Sequence, residues 1–363
     1  MDLLLTDEQR LLQDSVAKML AQAGGVKRTR ALRGRADGFD SAVHARMADE
    51  GWFGLVVPEG LGGLGLGLTE LGLVLMEAGR VLAPEPIGAT AVVARAIAHG
   101  ASSSKIFAGV LEGRMVVMPA IAGHADGPVV TWLVPSKESG VRLDGNLVGI
   151  PMAASCDGFL VEARAAPDGL SLGAEDTMLT YVPRSTPGLT ISPRATVDGR
   201  PFADLALVDV KPEVVFLRDS AHGAFHDILL FAAAAELVGV MSAAIDITVE
   251  YLKTRKQFGK PIGSFQALQH RVVNDYARMV SVRSFVFQVA AQGLDISSSM
   301  ASALKAHAAA EALDVCKSAI QMHGGIGFTE ECDIGLYLKR AMWLSAWLGN
   351  AAHHRARYSA LMA

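Results

Sequence analysis

The spacing of apolar residues predicts helices in the first part of the chain. In residues 6–23 apolar side chains recur every three or four positions, and Thr6 before Glu8 and Gln9 is typical of a helix start. Residues 39–48 and 68–81 show the same pattern. The glycine-rich run at 58–65 predicts a tight turn, because glycine adopts backbone angles that other residues avoid. A phosphate cradle is the less favoured alternative, since no Lys-Ser/Thr pair follows the run.

From Met115 onward the pattern changes to short apolar or alternating runs, punctuated by Gly, Pro and Asp, which predict strands. These runs are VVMPAI, GPVVTWLV, GVRLDGNLVGI, GFLVEAR and ADLALVDVKP. After Asp219 helical periodicity returns in long alanine-rich segments, and no proline follows Pro261. The sequence therefore predicts an α+β fold with an N-terminal helical domain at 1–110, a central β-domain at 111–217 and a C-terminal helical bundle at 218–363.

Composition narrows the class of protein. Of the 363 residues, 51% are hydrophobic and 19% are charged, which suits wide subunit interfaces as well as a large core. The net charge of -4 is spread along the chain without a basic stripe, so nucleic acid is not an expected partner. The apolar run at 228–241 is interrupted by Glu236, so we interpret it as a buried helix and expect no membrane span.

The cysteines indicate a reducing compartment. Cys156, Cys316 and Cys332 are far apart and lack CxxC spacing, which favours neither a disulfide framework nor a metal site. The opening residues carry Asp7 and Glu8, unlike the basic end and apolar run of a secretory signal. These features together predict a cytoplasmic protein.

Two segments near the end of the chain carry the candidate chemistry. Residues 251–266 read YLKTRKQFGKPIGSFQ, and residues 321–328 read QMHGGIGF. A dinucleotide is bound by a bidentate cation, an apolar face and closely approaching backbone N–H groups. Arg255 could supply the cation, Phe258 the apolar face, and Gly324 and Gly325 the close approach. Amide hydrogen bonds could come from three glutamines, Gln257, Gln266 and Gln321.

A simpler interpretation of both segments stays open. Arg255 could be a solvated surface charge, and the glycines of HGGIG could cap the C-terminal end of the preceding helix.

These segments resemble the signatures of the acyl-CoA dehydrogenase family. Their occurrence together, in the family's order and at the family's spacing, favours the dinucleotide interpretation. The opening LTDEQ, residues 50–52 and the run from Val57 to Gly65 also fit, so the resemblance covers essentially the whole chain and is weakest in the middle. It implies an N-terminal helical domain, a central β-domain and a C-terminal four-helix bundle, assembled as dimers or dimers of dimers. It also implies FAD as cofactor, with the named residues holding its ADP half across a subunit boundary.

The chain departs from the family at the general base. The family removes the substrate's α-proton with a glutamate while the flavin accepts the β-hydrogen. Leu348 stands at the commonest position of that glutamate, and Leu229 stands at the alternative position, followed by Leu230 in place of an arginine. Glu236, about two helical turns beyond Leu229, is a weak candidate for a base and is otherwise expected to be paired.

The flavin side of the middle domain departs as well. The family's Thr-Glu-Pro-x-x-Gly-Ser-Asp run corresponds to residues 118–126, and its Trp-Ile-Thr run corresponds to Gly149, Ile150 and Pro151. Glycine has no side chain to pack by a flavin, and proline has no N–H. His124, in the first run, is a lone loop histidine of the kind that is more often solvated than catalytic. The losses thus fall on the isoalloxazine side.

This asymmetry resembles the small or beta subunits of heteromeric acyl-CoA dehydrogenases, which lack the catalytic glutamate. The resemblance predicts a subunit of an FAD-dependent acyl-CoA dehydrogenase, with a homologous partner subunit supplying the base. The acyl-CoA would be bulky, including steroid side chains, or dicarboxylic, and an electron-transferring flavoprotein would be the acceptor. The alternatives are a homo-oligomeric dehydrogenase that uses Glu236 and a flavin-free scaffold. A flavin-dependent monooxygenase of the same fold has no positive sequence feature.

Overall fold

The computed structural model describes residues 5–101, 104–121, 130–133, 140–165, 177–216 and 220–363. They divide into two compact units, each built from separate stretches of chain. The helical unit comprises Met1–Ala31, Gly67–Ala83 and Leu230–Ala363, and the sheet unit comprises Leu32–Leu66 and Pro84–Leu229. The predicted domain boundaries after residues 110 and 217 stay predictions, and the second lies outside the described residues.

Helices occupy both ends of the described chain, with the strands between them, which confirms the predicted α+β class. The described helices are α1 (Asp7–Gln22), α2 (Gly25–Leu32), α3 (Ser41–Asp49), α4 (Leu68–Arg80), α5 (Ile87–Ala101), α6 (Lys105–Leu111), α7 (Ser220–Thr254), α8 (Gln266–Ala290), α9 (Ser298–His323), α10 (Ile334–Ala346) and α11 (Ala351–Met362). In the helical unit, α9 packs against α8, α10 and α11.

The first helix begins where its sequence predicts. The Thr6 hydroxyl accepts a hydrogen bond from the Gln9 backbone at 3.2 Å, and the Gln9 side chain accepts one from the Thr6 backbone at 3.0 Å. This reciprocal capping box satisfies two N–H groups that have no partner within the helix. Farther along α1, the Gln13 amide donates to Glu77 of α4 at 2.7 Å, so polar contacts fix the pairing of these two helices.

Helices α4 and α7 approach so closely that only glycine fits at their contact. A Cβ on Gly239 would lie 1.9 Å from the Met76 carbonyl oxygen, and one on Gly79 would lie 2.2 Å from the Glu236 carbonyl oxygen. Real Cβ atoms do not come this near to backbone. The two glycines therefore set the depth at which α4 rests on the central helix of the unit.

Helix α7 is the buried helix that the apolar run at 228–241 predicts. Within the described residues, its portion Ala224–Thr254 meets the length and composition of a membrane span. However, 89% of its most apolar 18-residue window is buried inside the protein. Burial of this extent is what a core helix shows.

The sheet unit is organised around one sheet. Its strands are β1 (Val117–Ala120), β2 (Val130–Leu133), β3 (Arg142–Pro151), β4 (Gly158–Ala165), β5 (Thr177–Pro183), β6 (Leu189–Arg194), β7 (Phe202–Val210) and β8 (Val214–Phe216). The order is β6-β7-β3-β2-β4-β5-β8, and β1 pairs with β4. Strands β1 and β2 run parallel to β4, while the other pairs are antiparallel. Alternate residues of β4, Phe159 and Val161, enter the core, as the period of a strand requires.

The glycine-rich run at 58–65 is a tight turn, as the sequence predicts. A short 3₁₀ helix spans Glu59–Leu61, and Gly62 and Gly65 follow with φ of +92° and +61°. A Cβ on Gly63 would lie 2.2 Å from the Val57 carbonyl oxygen. The glycines of this run thus serve backbone packing.

Candidate functional site

The first predicted segment forms a hairpin where α7 ends. Strands β9 (Lys256–Gln257) and β10 (Lys260–Pro261) pair across the turn Phe258–Gly259. Both turn residues have positive φ, +53° and +80°, which is the signature of a two-residue hairpin turn. At its base, the Ile262 N–H donates to the Arg255 carbonyl at 2.8 Å.

This hairpin presents its predicted binding residues to solvent. Arg255, Gln257 and Gln266 are exposed, and Phe258 is 90% exposed. The rings of Phe258 and Phe265 meet edge to face, with 6.0 Å between their centroids. This exposed ring lies three residues after Arg255 in the sequence, so the hairpin offers an apolar surface and a cation close together along the chain.

The second predicted segment is a turn at the end of α9. Gly324 has φ of +64° and its N–H donates to the Gln321 and Ile320 carbonyls, so it does cap the helix. A Cβ built on Gly324 or Gly325 would meet no other atom within 4 Å. Gln321 is exposed, and Phe328 at the far end of the turn is 80% exposed. The helix-capping interpretation is therefore correct for Gly324, and the backbone beside it is open to a ligand.

Two residues of these segments to which the sequence assigns no role, Tyr251 and His323, join the segments to each other. The rings of Tyr251 and His323 stack with 4.5 Å between centroids and 21° between planes. The Tyr251 hydroxyl donates to the His323 carbonyl at 3.2 Å. Tyr251 lies one turn before Arg255, and His323 precedes Gly324. The structure thus brings the arginine segment and the glycine turn together on one chain.

The site fits the ADP half of FAD in its donor set. An exposed guanidinium is suited to bidentate pairing with phosphate oxygens, and an open glycine backbone admits a pyrophosphate closely. The exposed Phe258 offers an apolar face beside them.

The first base position is a buried turn without a carboxylate. Leu348 is 4% exposed and has φ of +61°, a strained conformation for a leucine. Its carbonyl accepts a hydrogen bond from His354 Nε2 at 2.9 Å. Lys305, which the sequence analysis also missed, donates from Nζ to the Ser345 carbonyl at 3.2 Å and to the Gly349 carbonyl at 3.0 Å. Complete burial lowers the pKa of Lys305 to about 7.

Leu229, at the second base position, is completely buried. Glu236 is paired: its Oε1 accepts from Arg340 Nε and Nη2, both at 2.7 Å. The Arg340 guanidinium lies 4.7 Å from the centre of the Trp343 ring, which stacks on Trp347 at 5.3 Å. Of the two readings that the sequence left open for Glu236, this contact supports the paired carboxylate, and a catalytic role stays a prediction.

The middle segment shows what replaces the family's flavin contacts. The Gly149 N–H donates to Asp204 Oδ1 at 3.1 Å, and Gly149 has φ of +83°. Pro151 pairs with Phe202 at the end of β3. His124 lies outside the described residues. Among the residues that the structure describes, no group of three His, Cys, Asp or Glu side chains could hold a metal ion.

Comparisons with known proteins agree with this architecture. The acyl-CoA dehydrogenase N-terminal domain matches residues 6–120, and the C-terminal domain matches residues 231–361. Acyl-CoA dehydrogenase IpdE2 of Mycolicibacterium smegmatis is 30% identical, with 95% of this chain and 96% of IpdE2 covered.

Solved structures match over nearly the whole chain. The steroid ACAD Tcur3481-Tcur3483 has a TM-score of 0.88 and 30% identity, with 98% of each chain covered. The ChsE4-ChsE5 complex from Mycobacterium tuberculosis also has a TM-score of 0.88, at 23% identity and with 100% and 99% covered, and this likeness concerns the fold. The two family domains match residues 6–120 and 231–361, and IpdE2 matches 95% of the chain. The chain therefore belongs to the acyl-CoA dehydrogenase family, whose cofactor is FAD.

Proposed function

We propose that this chain is a subunit of a heteromeric acyl-CoA dehydrogenase that introduces a 2,3-double bond into an acyl-CoA thioester. The chain holds the ADP half of FAD, and a homologous partner supplies the flavin pocket, the acyl-CoA site and the catalytic glutamate. One observation carries the proposal. The residues suited to ADP are intact and open to solvent, whereas buried leucines, Leu348 and Leu229, fill both positions of the base.

In this function the chain's own residues bind and orient. FAD, when bound, supplies the acceptor for the β-hydrogen. Arg255 pairs with phosphate oxygens, and the Gly324–Gly325 backbone admits them closely. Phe258, at 90% exposure, gives an apolar surface that a neighbouring chain covers. Covering the site excludes water, which strengthens the pairing of arginine with phosphate.

Within the described part of the chain, neither base position offers a proton acceptor and Glu236 is already paired. A general base needs an oxygen or nitrogen lone pair within hydrogen-bond reach of the substrate. Leucine offers none, and Glu236 Oε1 already accepts two N–H bonds from Arg340. The base therefore comes from the partner subunit.

The relatives support the proposed substrate class. A structure 30% identical to this chain is described as a steroid ACAD and carries the names of two chains. That supports a mixed assembly and a bulky acyl-CoA, such as a steroid side chain. A dicarboxylic acyl-CoA is the second candidate. An electron-transferring flavoprotein is the proposed acceptor, and the cytoplasm the proposed compartment.

The test compares the chain expressed alone with the chain co-expressed with a homologous acyl-CoA dehydrogenase chain that carries the glutamate. Visible absorption reports bound flavin, and native mass spectrometry reports the assembly. We expect a colourless protein alone and a yellow mixed oligomer that oxidises an acyl-CoA. Arg255→Ala should reduce the flavin content of the mixed oligomer. Arg355→Ala removes another exposed arginine, on α11, and should leave the flavin content unchanged.

Each contrary outcome points to a different function. Oxidation of an acyl-CoA by the chain alone would contradict the proposal and favour a homo-oligomeric dehydrogenase. A mixed oligomer whose flavin content ignores Arg255→Ala would favour a scaffold that does not touch the cofactor.

A further inference from the structure

Tyr251 is the first residue of the segment 251–266 and precedes all of that segment's candidate binding residues. It lies in the last turn of α7, and its carbonyl accepts the Arg255 N–H at 2.9 Å, so its backbone leads directly into the arginine hairpin. Its side chain points instead to α9, where it stacks on His323. Tyr251 therefore contacts both halves of the proposed ADP site: it bonds to Arg255 in its own segment and to His323, which lies 72 positions farther along the chain.

The contact on α9 is itself rigid. His323 is 4% exposed, and its Nδ1 bonds to the Ala319 carbonyl at 2.8 Å, which fixes the plane of the ring. The His323 carbonyl that accepts from Tyr251 belongs to the peptide leading into Gly324. The hydrogen bond from Tyr251 fixes this peptide, and the peptide in turn fixes the position and orientation of the glycine turn.

A second clamp holds the other end of the turn. Arg30 donates from Nε at 3.2 Å and from Nη2 at 2.7 Å to Asp333 Oδ1, and Lys339 pairs with Glu330 at 2.8 Å. Between the two clamps the glycine backbone is open and Phe328 is exposed. Both ends are thus fixed by groups that leave the ligand-facing surface clear.

We propose that Tyr251 is a positioning residue that fixes the spacing between Arg255 and the Gly324–Gly325 turn, so that both bind one ADP moiety together. The inference rests on the proposed function. Tyr251 acts through His323 and does not itself touch the ligand. A turn held in its binding geometry loses less freedom when the ligand arrives, and this preorganisation appears as affinity.

The test measures the affinity of the mixed oligomer for FAD and for ADP, by calorimetry on apoprotein, below the unfolding temperature of every variant. Tyr251→Leu removes the stack and the hydroxyl and should weaken both affinities about tenfold or more. Tyr251→Phe keeps the stack but removes the hydroxyl that donates to the His323 carbonyl, so it should recover part of that loss and remain a few-fold weaker than wild type. Tyr358→Leu, which removes an exposed tyrosine on α11, is the matched control and should change neither affinity.

Unchanged ADP affinity in Tyr251→Leu would overturn the inference. If that variant does not fold, Tyr251→Phe decides: a loss of a few-fold supports the role, and wild-type affinity refutes it. A wild-type oligomer that binds neither FAD nor ADP would instead overturn the proposed function, and this inference with it.

Discussion

The amine of Lys305 lies 3.0 Å from the carbonyl oxygen of Gly349, beside the leucine that occupies the family's base position. The amine is completely buried and its bonds go to two backbone carbonyls. Removal from water disfavours its charged form, and burial lowers its pKa to about 7. A buried lysine whose pKa differs between the folded and unfolded states makes the free energy of unfolding depend on pH.

The sign of the pH effect follows from the two pKa values. An unfolded chain holds the lysine proton up to about pH 10.4, whereas the folded chain releases it near pH 7. Below pH 7 the penalty for burying the charge is fully present. It falls as the pH rises from 7 toward about 10.4, so this group makes the protein more stable with rising pH.

Lys305→Met should remove that pH dependence. It leaves two buried carbonyls without their donor, at a cost of about 1–3 kcal/mol. Relative to wild type, the variant should therefore be least disadvantaged at pH 6 and most disadvantaged at pH 9. Urea unfolding at both pH values measures the difference. Parallel pH profiles for the two proteins would contradict the burial argument.

The contact between α4 and α7 gives a prediction about the fold. Gly239→Ala places a Cβ 1.9 Å from the Met76 carbonyl oxygen, which neither helix can relieve by a side-chain rotation. We expect a loss on the order of 3 kcal/mol or more in the free energy of unfolding. Gly335→Ala in α10 is the matched control, since its Cβ would meet only an ordinary contact at 3.8 Å. The control should be neutral or slightly stabilising, by up to about 1 kcal/mol.

How much the sequence predicts depends on whether the signal is local. The capping pattern at Thr6, the turn at 58–65 and the two segments proposed to bind a nucleotide each lie in a short stretch, and the structure confirms the helix start and the turn. Helix α5 went unpredicted because it is apolar on most sides and shows no clear period. Strand β6 went unpredicted because it is mostly exposed and carries Ser-Pro.

The residues that shape the site were missed for another reason. Tyr251 and His323 are 72 positions apart, and Lys305 is 44 positions from Gly349. Neither pair produces a local sequence pattern. A tyrosine or a lysine in a helix cannot be distinguished from a surface residue until the position of the partner helix is known. A single sequence reveals residues whose chemistry suggests binding or catalysis. It does not reveal residues whose only role is to position those binding residues.

Substitutions in the Glu236–Arg340 ion pair distinguish a structural role of Glu236 from a catalytic role. Glu236→Gln removes the charge and should cost about 1–3 kcal/mol in stability, because it leaves the largely buried Arg340 with a neutral partner. Turnover per folded mixed oligomer should stay at the wild-type level. The double variant Glu236→Leu with Arg340→Met should be more stable than Glu236→Leu alone, since it removes both charges. Loss of turnover in a stable Glu236→Gln protein would favour Glu236 as the base.

A substitution at Gly325 distinguishes a binding role of the glycine turn from a structural role. A Cβ at this position meets no other atom of the chain within 4 Å, and its φ is not in the left-handed region that favours glycine. Gly325→Ala should therefore leave the thermal unfolding of the apoprotein unchanged within about 1 °C, since a surface substitution that meets nothing costs little. The added methyl occupies the open space that the proposed function assigns to the pyrophosphate, so FAD affinity in the mixed oligomer should fall about tenfold. Gly259→Ala, in the hairpin turn, is the control for backbone strain. Its Cβ also has open space, but its φ of +80° is unfavourable for alanine. That control should lower stability, and an unaltered FAD affinity in Gly325→Ala would mean that the cofactor does not approach this backbone.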